Sequence, residues 1–141
     1  MRRAAILIGV AVLLLAGCGG GKKTQADFEK ANSSLLSKVP LYPHAKLTTH
    51  ASTGYTAGKT NVVGYQTRYI YALPARASLA DVEAFYLKNL QSWKQVASLT
   101  GPVLNYRKGN SFVSINLQQV QRIHMLEIVV DDSFYSHVPK G

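Results

Sequence analysis

The chain has 141 residues, and its 16 lysines and arginines outnumber its 7 aspartates and glutamates, which gives a formal net charge of +9 at pH 7. This length suffices for one hydrophobic core and argues against a second domain. With a single cysteine the chain can form no internal disulfide, so the core alone must stabilise the fold.

Residues 4–16 form an uncharged apolar run that follows two arginines, Arg2 and Arg3. A helix needs about 20 apolar residues to span a bilayer, so this run is too short for a stable transmembrane anchor. A basic start followed by a short apolar run is typical of a secretory signal peptide. We therefore expect export of the chain, with an uncleaved anchor as the alternative.

Four residues at the end of the apolar run predict what happens to this signal: Leu15, Ala16, Gly17 and Cys18. A leucine, two small residues and a cysteine in this position resemble the lipobox of bacterial lipoproteins. The resemblance implies that a signal peptidase cuts before Cys18 and that its thiol carries a diacylglyceryl group, the only non-protein group we expect. Two acyl chains would hold the protein on the extracytoplasmic side of the cell membrane or of an outer membrane.

The lipobox divides the chain into three parts. We predict a signal peptide at residues 1–17, a lipidated cysteine with a flexible tether at 18–38, and a globular domain at 39–141. Within the tether, residues 24–39 show a weak helical pattern that polar residues interrupt. A short helix and a disordered spacer therefore both remain open for this segment.

The charge of the exported part indicates its partners. Cleavage removes two arginines and leaves a net charge of about +7. Positive charge beside a lipid anchor favours an anionic lipid or wall surface, with another envelope protein as the alternative partner. Nucleic acid is not expected, because an exported protein rarely meets it and the basic residues are spread along the chain.

The globular part opens with two strand patterns, at residues 46–56 and 62–73, separated by a turn that contains Gly58. Alternate residues of the second strand share one face, and this face carries Tyr65, Thr67, Tyr69, Tyr71 and Leu73. Such a period of two predicts a strand with one face well covered.

A helix and a strand meander complete the predicted fold. Ser78 stands as an N-cap, with Asp81 three residues later, before apolar residues at helical spacing. Four β-like segments follow at 95–99, 103–107, 111–119 and 123–130, and Lys108-Gly109-Asn110 is a hairpin turn. We therefore predict an α+β fold: a single antiparallel sheet of five to six strands in the order ββαββββ, with one main amphipathic helix on one face.

The start of the globular part carries a second resemblance. Two prolines, Pro40 and Pro43, predict an extended start of the domain. The Tyr-Pro-His-Ala stretch at 42–45, with the later Phe85 and Trp93, resembles small bacterial lipoproteins of unassigned function that carry a Tyr-Pro-x-Ala motif. This resemblance supports the fold and transfers no site residue.

The sequence holds few of the arrangements that catalysis requires. It has no Gly-x-Ser-x-Gly motif, no glycine-rich phosphate loop, and no thiol besides the one expected to be lipidated. Its four histidines lack metal-ligand spacing, although His50 and His124 would converge if their strands were neighbours. We therefore expect no metal site, no catalytic residue and no enzyme activity.

One acidic cluster is present, formed by Glu127, Asp131 and Asp132. Adjacent aspartates on a strand point to opposite faces, so we interpret the cluster as a solvated strand end. A hydrolase could use only His124 as its base, with Asp131 or Glu127 as its partner.

Tyrosines are the most suggestive feature, because Tyr65, Tyr69 and Tyr71 line one strand face. This face can bind wall glycans or a protein partner through stacking and hydroxyl contacts. Alternatively, the predicted helix covers it as core, which is the interpretation we favour because a packed sheet face needs bulky residues.

Three functions are compatible with these patterns. The first is a non-catalytic binding or interaction module of the cell envelope. The second is a carrier of a small apolar ligand, which predicts a cavity of several hundred Å³ between helix and sheet. The third is an envelope hydrolase.

Overall fold

The computed structural model describes residues 22–56, 58, 61–98 and 103–137. These residues form an α+β fold built on one six-stranded antiparallel sheet, with the strand order β1-β2-β6-β5-β4-β3. The elements in chain order are α1 (Gln25–Leu36), β1 (Lys46–Tyr55), β2 (Gly64–Ala72), α2 (Leu79–Asn89), β3 (Lys94–Val96), β4 (Val103–Lys108), β5 (Ser111–Val120), β6 (Ile123–Asp131) and α3 (Phe134–His137).

The prediction of a single main helix and the order ββαββββ is wrong, because a helix precedes the first strand and a short one follows the last. Two helices of similar length, α1 and α2, pack on the same face of the sheet. Helix α1 lies against β2 and β6, and α2 lies nearest β5. The covered face is therefore shared between two helices.

Helix α1 also corrects the predicted boundary of the folded domain. The sequence left a short helix and a disordered spacer open for residues 24–39, and the structure has the helix. The folded part therefore begins near Gln25 instead of residue 39. Thr24 starts it with a capping box: its Oγ1 accepts a hydrogen bond from the Asp27 amide, and the Asp27 carboxylate accepts one from the Thr24 amide. Phe28 and Leu35 are buried on its inner face, so this segment belongs to the core.

Helix α2 starts as the sequence predicts. The Ser78 hydroxyl accepts a hydrogen bond from the Asp81 amide at 3.1 Å. Val82, Tyr86 and Leu90 follow at four-residue intervals, and all three are fully buried. This spacing aligns them along one side of the helix, which packs on the sheet.

The core lies between these helices and the inner face of the sheet. Register places Tyr69 of β2 opposite Ile128 of β6, which in turn lies opposite Ile115 of β5. Because alternate residues of a strand face the same side, every second residue of these strands lies under the helices. The fully or almost fully buried apolar members are Val82, Tyr86, Leu90, Val113, Ile115, Leu126, Ile128 and Val130. These side chains fill the middle of the space between the helices and the sheet.

Turns join the elements as their residue types dictate. Gly109 has φ +61° between the paired residues Lys108 and Ser111, as the first central residue of a type II′ hairpin turn does. The segment 42–45 is a turn closed by a hydrogen bond from the Ala45 amide to the Tyr42 carbonyl, with His44 at φ 61°. Pro43 before a residue with positive φ is the type II pattern, so this stretch is a turn where the sequence indicated an extended start.

Candidate binding site

The face of the sheet opposite the helices carries a groove of about 570 Å³. In the described part of the chain only α3 packs on this outer face, at one end, where Phe134 lies 4.9 Å from Phe112 of β5 between ring centroids. The groove runs across the strands from β2 to β3. Its lining residues are Gln66, Val96, Ala97, Ser98, Val103, Asn105, Phe112, Ser114, Asn116, Glu127, Phe134 and Tyr135.

Strand pairing sets the polar floor of this groove. Asn116 of β5 lies opposite Glu127 of β6, and Ser114 of β5 lies opposite Asn105 of β4. Residues directly opposite in antiparallel strands have their Cβ atoms about 4.5–5.5 Å apart, so these side chains form two adjacent cross-strand pairs. All four are half-buried, which fits a recessed floor.

The charge of the groove is close to neutral. Glu127 is the one ionised side chain among its lining residues, and Arg68 of β2 pairs with it at 3.4 Å on the outer face. Arg68 is largely exposed while Glu127 is mostly covered. The amide and hydroxyl groups, which each donate and accept hydrogen bonds, therefore dominate the polar lining.

One polar atom of Asn105 lies below the surface of this floor, out of reach of solvent. Its side-chain Oδ1 atom is buried and has no hydrogen-bond partner among the described residues. A buried polar atom without a partner costs about 1–3 kcal/mol, so such atoms are uncommon unless a function retains them.

Aromatic rings close one end of the groove. Phe134 lies 4.9 Å from Phe112, and Tyr135 lies edge-on to Phe134 at 5.1 Å between centroids. The guanidinium of Arg107 sits 4.0 Å over the Tyr135 ring, which holds that ring in place by a cation–π contact. The site thus combines a polar floor with an aromatic wall.

Behind this wall the predicted acidic cluster is split. Asp131 is fully buried, which contradicts its interpretation as a solvated strand end. The Ser133 amide donates a hydrogen bond to its Oδ1 at 2.9 Å. Asp132 is exposed and accepts a hydrogen bond from the Ser111 hydroxyl, while Glu127 lines the groove. The three carboxylates therefore occupy three different environments.

Tyr55 is the side chain that covers Asp131. Its ring crosses Gly64 on the neighbouring strand, where an added Cβ would meet the Tyr55 Oη atom at 2.5 Å. Burial and the nearby Asp131 carboxylate both raise the pKa of Tyr55. The ring also contacts Phe134 and His137 of α3, at 6.1 and 6.4 Å between centroids. Glycine at position 64 is thus what allows the tyrosine to reach across the strand.

The tyrosines proposed from the sequence as a binding face lie on the helix-covered side. Tyr69 and Tyr71 are 8% and 6% exposed and belong to the core. Tyr65 is half-buried and contacts Phe28 of α1 at 5.7 Å between ring centroids. Helix α1 accounts for most of this cover, since it packs on β2, whereas the sequence assigned that role to α2.

The histidines do not converge. His50 on β1 stacks on Tyr69 at 5.6 Å, and β2 separates its strand from β6. His124 binds the Ala77 carbonyl through Nδ1 at 2.7 Å, seven residues along β6 from Asp131 and on the face opposite to Glu127. The base and partner pairs required by the hydrolase hypothesis are therefore not formed.

Two further features, a metal site and a membrane-crossing helix, are absent from the part of the chain that the structure describes. Within them, no group of three or more His, Cys, Asp or Glu side chains is placed to hold a metal ion. Nor does any helix within residues 22–137, the undescribed positions aside, have the length and apolar character needed to cross a membrane. Leu15, Ala16, Gly17 and Cys18 lie outside the described residues.

Fold and groove together define a class of small α+β domain: an antiparallel six-stranded sheet with two helices on one face and a polar groove on the other. Comparison with protein-family models gives no match, and comparison with curated proteins gives no significant relative. The N-terminal motif and the chemistry of the groove therefore carry the functional proposal.

Proposed function

We propose that this protein is a lipid-anchored lipoprotein of the bacterial envelope whose α+β domain is a non-catalytic binding module. The observation that carries the binding role is the half-buried polar groove on the face that the helices leave uncovered. A sheet face that only had to meet water would need neither a recess nor an aromatic wall. A recess lined by a few polar groups and aromatic rings is the usual form of a binding site.

The anchoring half of the proposal rests on the N-terminal sequence. Leu15, Ala16 and Gly17 precede Cys18 directly after the apolar run, as in a lipobox, and residues 1–17 would be the signal peptide. The protein would then face the extracytoplasmic side of the cell membrane or of an outer membrane. Lys22 and Lys23 follow Cys18 after three glycines, and each basic residue near an anionic bilayer adds about 1 kcal/mol of attraction.

The spacing between lipid and fold supports a membrane-bound domain. Gln25, where α1 begins, is the seventh residue after Cys18. An extended chain of seven residues spans at most about 25 Å, so the domain would stay close to the bilayer surface. Residues 18–24 would serve as the tether, which is shorter than the 18–38 segment expected from the sequence alone.

Replacement of the cysteine tests the anchor. In a bacterial host fed labelled palmitate, we expect the wild-type protein to incorporate label and Cys18→Ala to incorporate none, because alanine has no thiol to acylate. Ser34→Ala, an exposed change on α1, is the matched control and should be labelled like the wild type. Labelled Cys18→Ala protein, or unlabelled wild-type protein, would show that the anchor is assigned wrongly.

A second candidate, the carrier of a small apolar ligand, is favoured by one observation. A groove of about 570 Å³ beside the end of α1 is lined mainly by apolar residues, among them Leu36, Val39, Leu41 and Tyr71. Native mass spectrometry of the protein extracted gently from its membrane would decide. A reproducible added mass that is lost in Leu36→Gln would favour the carrier. The mass of the lipoprotein alone, with no ligand, would refute the carrier hypothesis.

A further inference from the structure

The polar groups of the outer groove are distributed over neighbouring strands in a way that fits one class of ligand. Gln66 on β2, Glu127 on β6, Asn116 on β5 and Asn105 on β4 all project into the same recess. Strands lie about 4.8 Å apart, so these groups are spaced across roughly 15 Å. A ligand that used them all would be elongated and would carry polar groups at several successive positions.

The type of group in the groove argues against apolar ligands and against polyanions. An apolar ligand would leave the amides and the Ser114 hydroxyl without hydrogen-bond partners, which weakens binding. A polyanion would meet the Glu127 carboxylate, while the two arginines beside the groove are already engaged, Arg68 with Glu127 and Arg107 with the Tyr135 ring. Sugar hydroxyls and acetamido groups both donate and accept hydrogen bonds, as amide and hydroxyl side chains do.

The aromatic wall completes the match. Phe112 and Tyr135 border the same recess as the amides. The C–H face of a pyranose ring is apolar, and aromatic rings offer a rigid surface of the same character beside the polar groups. The aromatic wall can contact the faces of the sugar rings, and the polar floor can bind their hydroxyl and acetamido groups. A sugar chain needs both kinds of contact.

We propose that the groove binds a neutral glycan chain of N-acetylated hexosamines, the sugar backbone of a cell-wall polymer. The proposal deepens the proposed function and rests on it, because the extracytoplasmic location is what would bring the domain to wall glycan. The Asn105–Ser114 and Asn116–Glu127 pairs form the polar floor, and the Phe112 end receives a ring face.

Calorimetric titration of the protein, produced from its full coding sequence and purified from membranes in mild detergent, tests this. The probe is the linear tetramer of N-acetylglucosamine, with polyglycerol phosphate as the anionic comparison. We expect tetramer binding that Asn116→Ala weakens by about fivefold or more, since a polar group left without its partner at a desolvated site typically costs at least about that factor. Tyr135→Ala, which removes an aromatic ring from the wall, should weaken it similarly.

Gln118→Ala is the matched control, because Gln118 lies on the same strand and by alternation on the same face, but is exposed and outside the groove lining. It should bind within about twofold of the wild type. Melting curves establish whether each variant is folded. If Asn116→Ala does not fold, Tyr135→Ala alone tests the proposal.

Three results would overturn the glycan proposal: no tetramer binding by the wild type, equal losses in Asn116→Ala and Gln118→Ala, or binding of polyglycerol phosphate in place of the tetramer. The palmitate labelling at Cys18 is independent of these titrations. A labelled protein that does not bind the tetramer would refute the glycan ligand alone, whereas an unlabelled protein that binds it would refute the anchor alone.

Discussion

Asn32 illustrates how one buried polar side chain can fix the position of a helix. It lies in the core-facing row of α1 between Phe28 and Leu35 and is 1% exposed. Its amide nitrogen donates to the Tyr65 carbonyl at 2.8 Å and to the Thr67 hydroxyl at 3.0 Å, and its oxygen accepts from the Asp132 amide at 2.9 Å. These bonds tie α1 to β2 and to the end of β6, and they satisfy the whole side chain except one lone pair.

Asn32→Ala should lower the free energy of unfolding by about 3 kcal/mol, because it leaves buried backbone and hydroxyl groups without partners. Chemical denaturation monitored by circular dichroism measures the change. Ser34→Ala, two residues along the same helix and exposed, should stay within about 0.5 kcal/mol of the wild type. A loss for Asn32→Ala no larger than that of the control would contradict the role of these hydrogen bonds.

Asp131 is the second residue whose burial has a measurable consequence. Burial raises the pKa of its carboxyl group, and the neighbouring Tyr55, Ser133 and His137 only partly oppose this. Its folded-state pKa therefore lies above the unfolded value of about 4. Between the two values the folded protein binds more protons, so this residue's contribution to stability falls as pH rises through that window and is constant above it.

Asp131→Asn removes this titration while its amide oxygen can still accept from the Ser133 amide. We expect the variant to gain stability relative to the wild type as pH rises above about 4, because the wild type alone then carries a buried charge. Parallel denaturation of both proteins at pH 3 to 8 gives the difference at each pH. A difference that stays constant or shrinks with rising pH would refute the assignment.

At the scale of elements, α1 is the segment whose place in the fold is least evident from its composition. With 12 residues it is too short to be stable alone in water, and its capping box and tertiary contacts must hold it. Leu35, 3% exposed, joins the core that α2 and the sheet form, and Leu36 packs at its margin. The helix is therefore an integral layer of the domain, and it leaves only the few residues before it for the proposed tether.

Leu35→Ala should cost about 2–5 kcal/mol of unfolding free energy, the range for removing a buried leucine side chain. Leu87→Ala on α2 is the control, because Leu87 is 42% exposed and should lose far less. Thermal and urea unfolding compare the two. If residues 25–36 were a disordered spacer, both substitutions would have the same negligible effect.

At the scale of the whole molecule, the fold has two distinct ends. Phe28 of α1 contacts Tyr65 near the start of β2, at 5.7 Å between ring centroids. Ala72 of β2 pairs with Met125 of β6 at the other end of the β2–β6 ladder, and Ile123 lies two residues beyond that pair. Measured along the strands, Ile123 is about nine residues from Tyr65. This corresponds to about 30 Å, longer than the proposed tether can reach. If the strands stand upright on the bilayer with the start of α1 at the lipid, the exposed β5–β6 turn points away from the membrane.

Single-cysteine probes test this orientation, since lipid would occupy Cys18. In neutral vesicles with a quencher on the lipid headgroups, a fluorophore at Lys30→Cys on α1 should be quenched more strongly than one at Arg122→Cys in the turn. Both positions are exposed, so labelling should not disturb the fold. Equal quenching at the two positions, or stronger quenching at the turn, would rule out a fixed orientation of this kind.

Local patterns in the sequence identified most of the elements. The alternation around Tyr69 predicted β2, the Ser78 cap predicted the start of α2, and Gly109 marked the turn between β4 and β5. Each of these signals lies within a few residues, because a helix cap, a period of two or a positive φ depends on neighbours in the chain. The lipobox prediction at Cys18 has the same local origin and stays a prediction.

The sequence by itself thus determined the fold class and the short-range devices that start and end its elements. Only the tertiary structure decided that Asn32 belongs to the core, that Asp131 is buried under Tyr55, and that the polar residues of β5 and β6 line a recess. The physical reason is that hydrogen-bond partners and cover come from segments far apart in the chain: Asn32 and Asp132 are 100 residues apart. Periodicity along one strand shows two faces, but which face is covered by helices depends on how those distant segments pack.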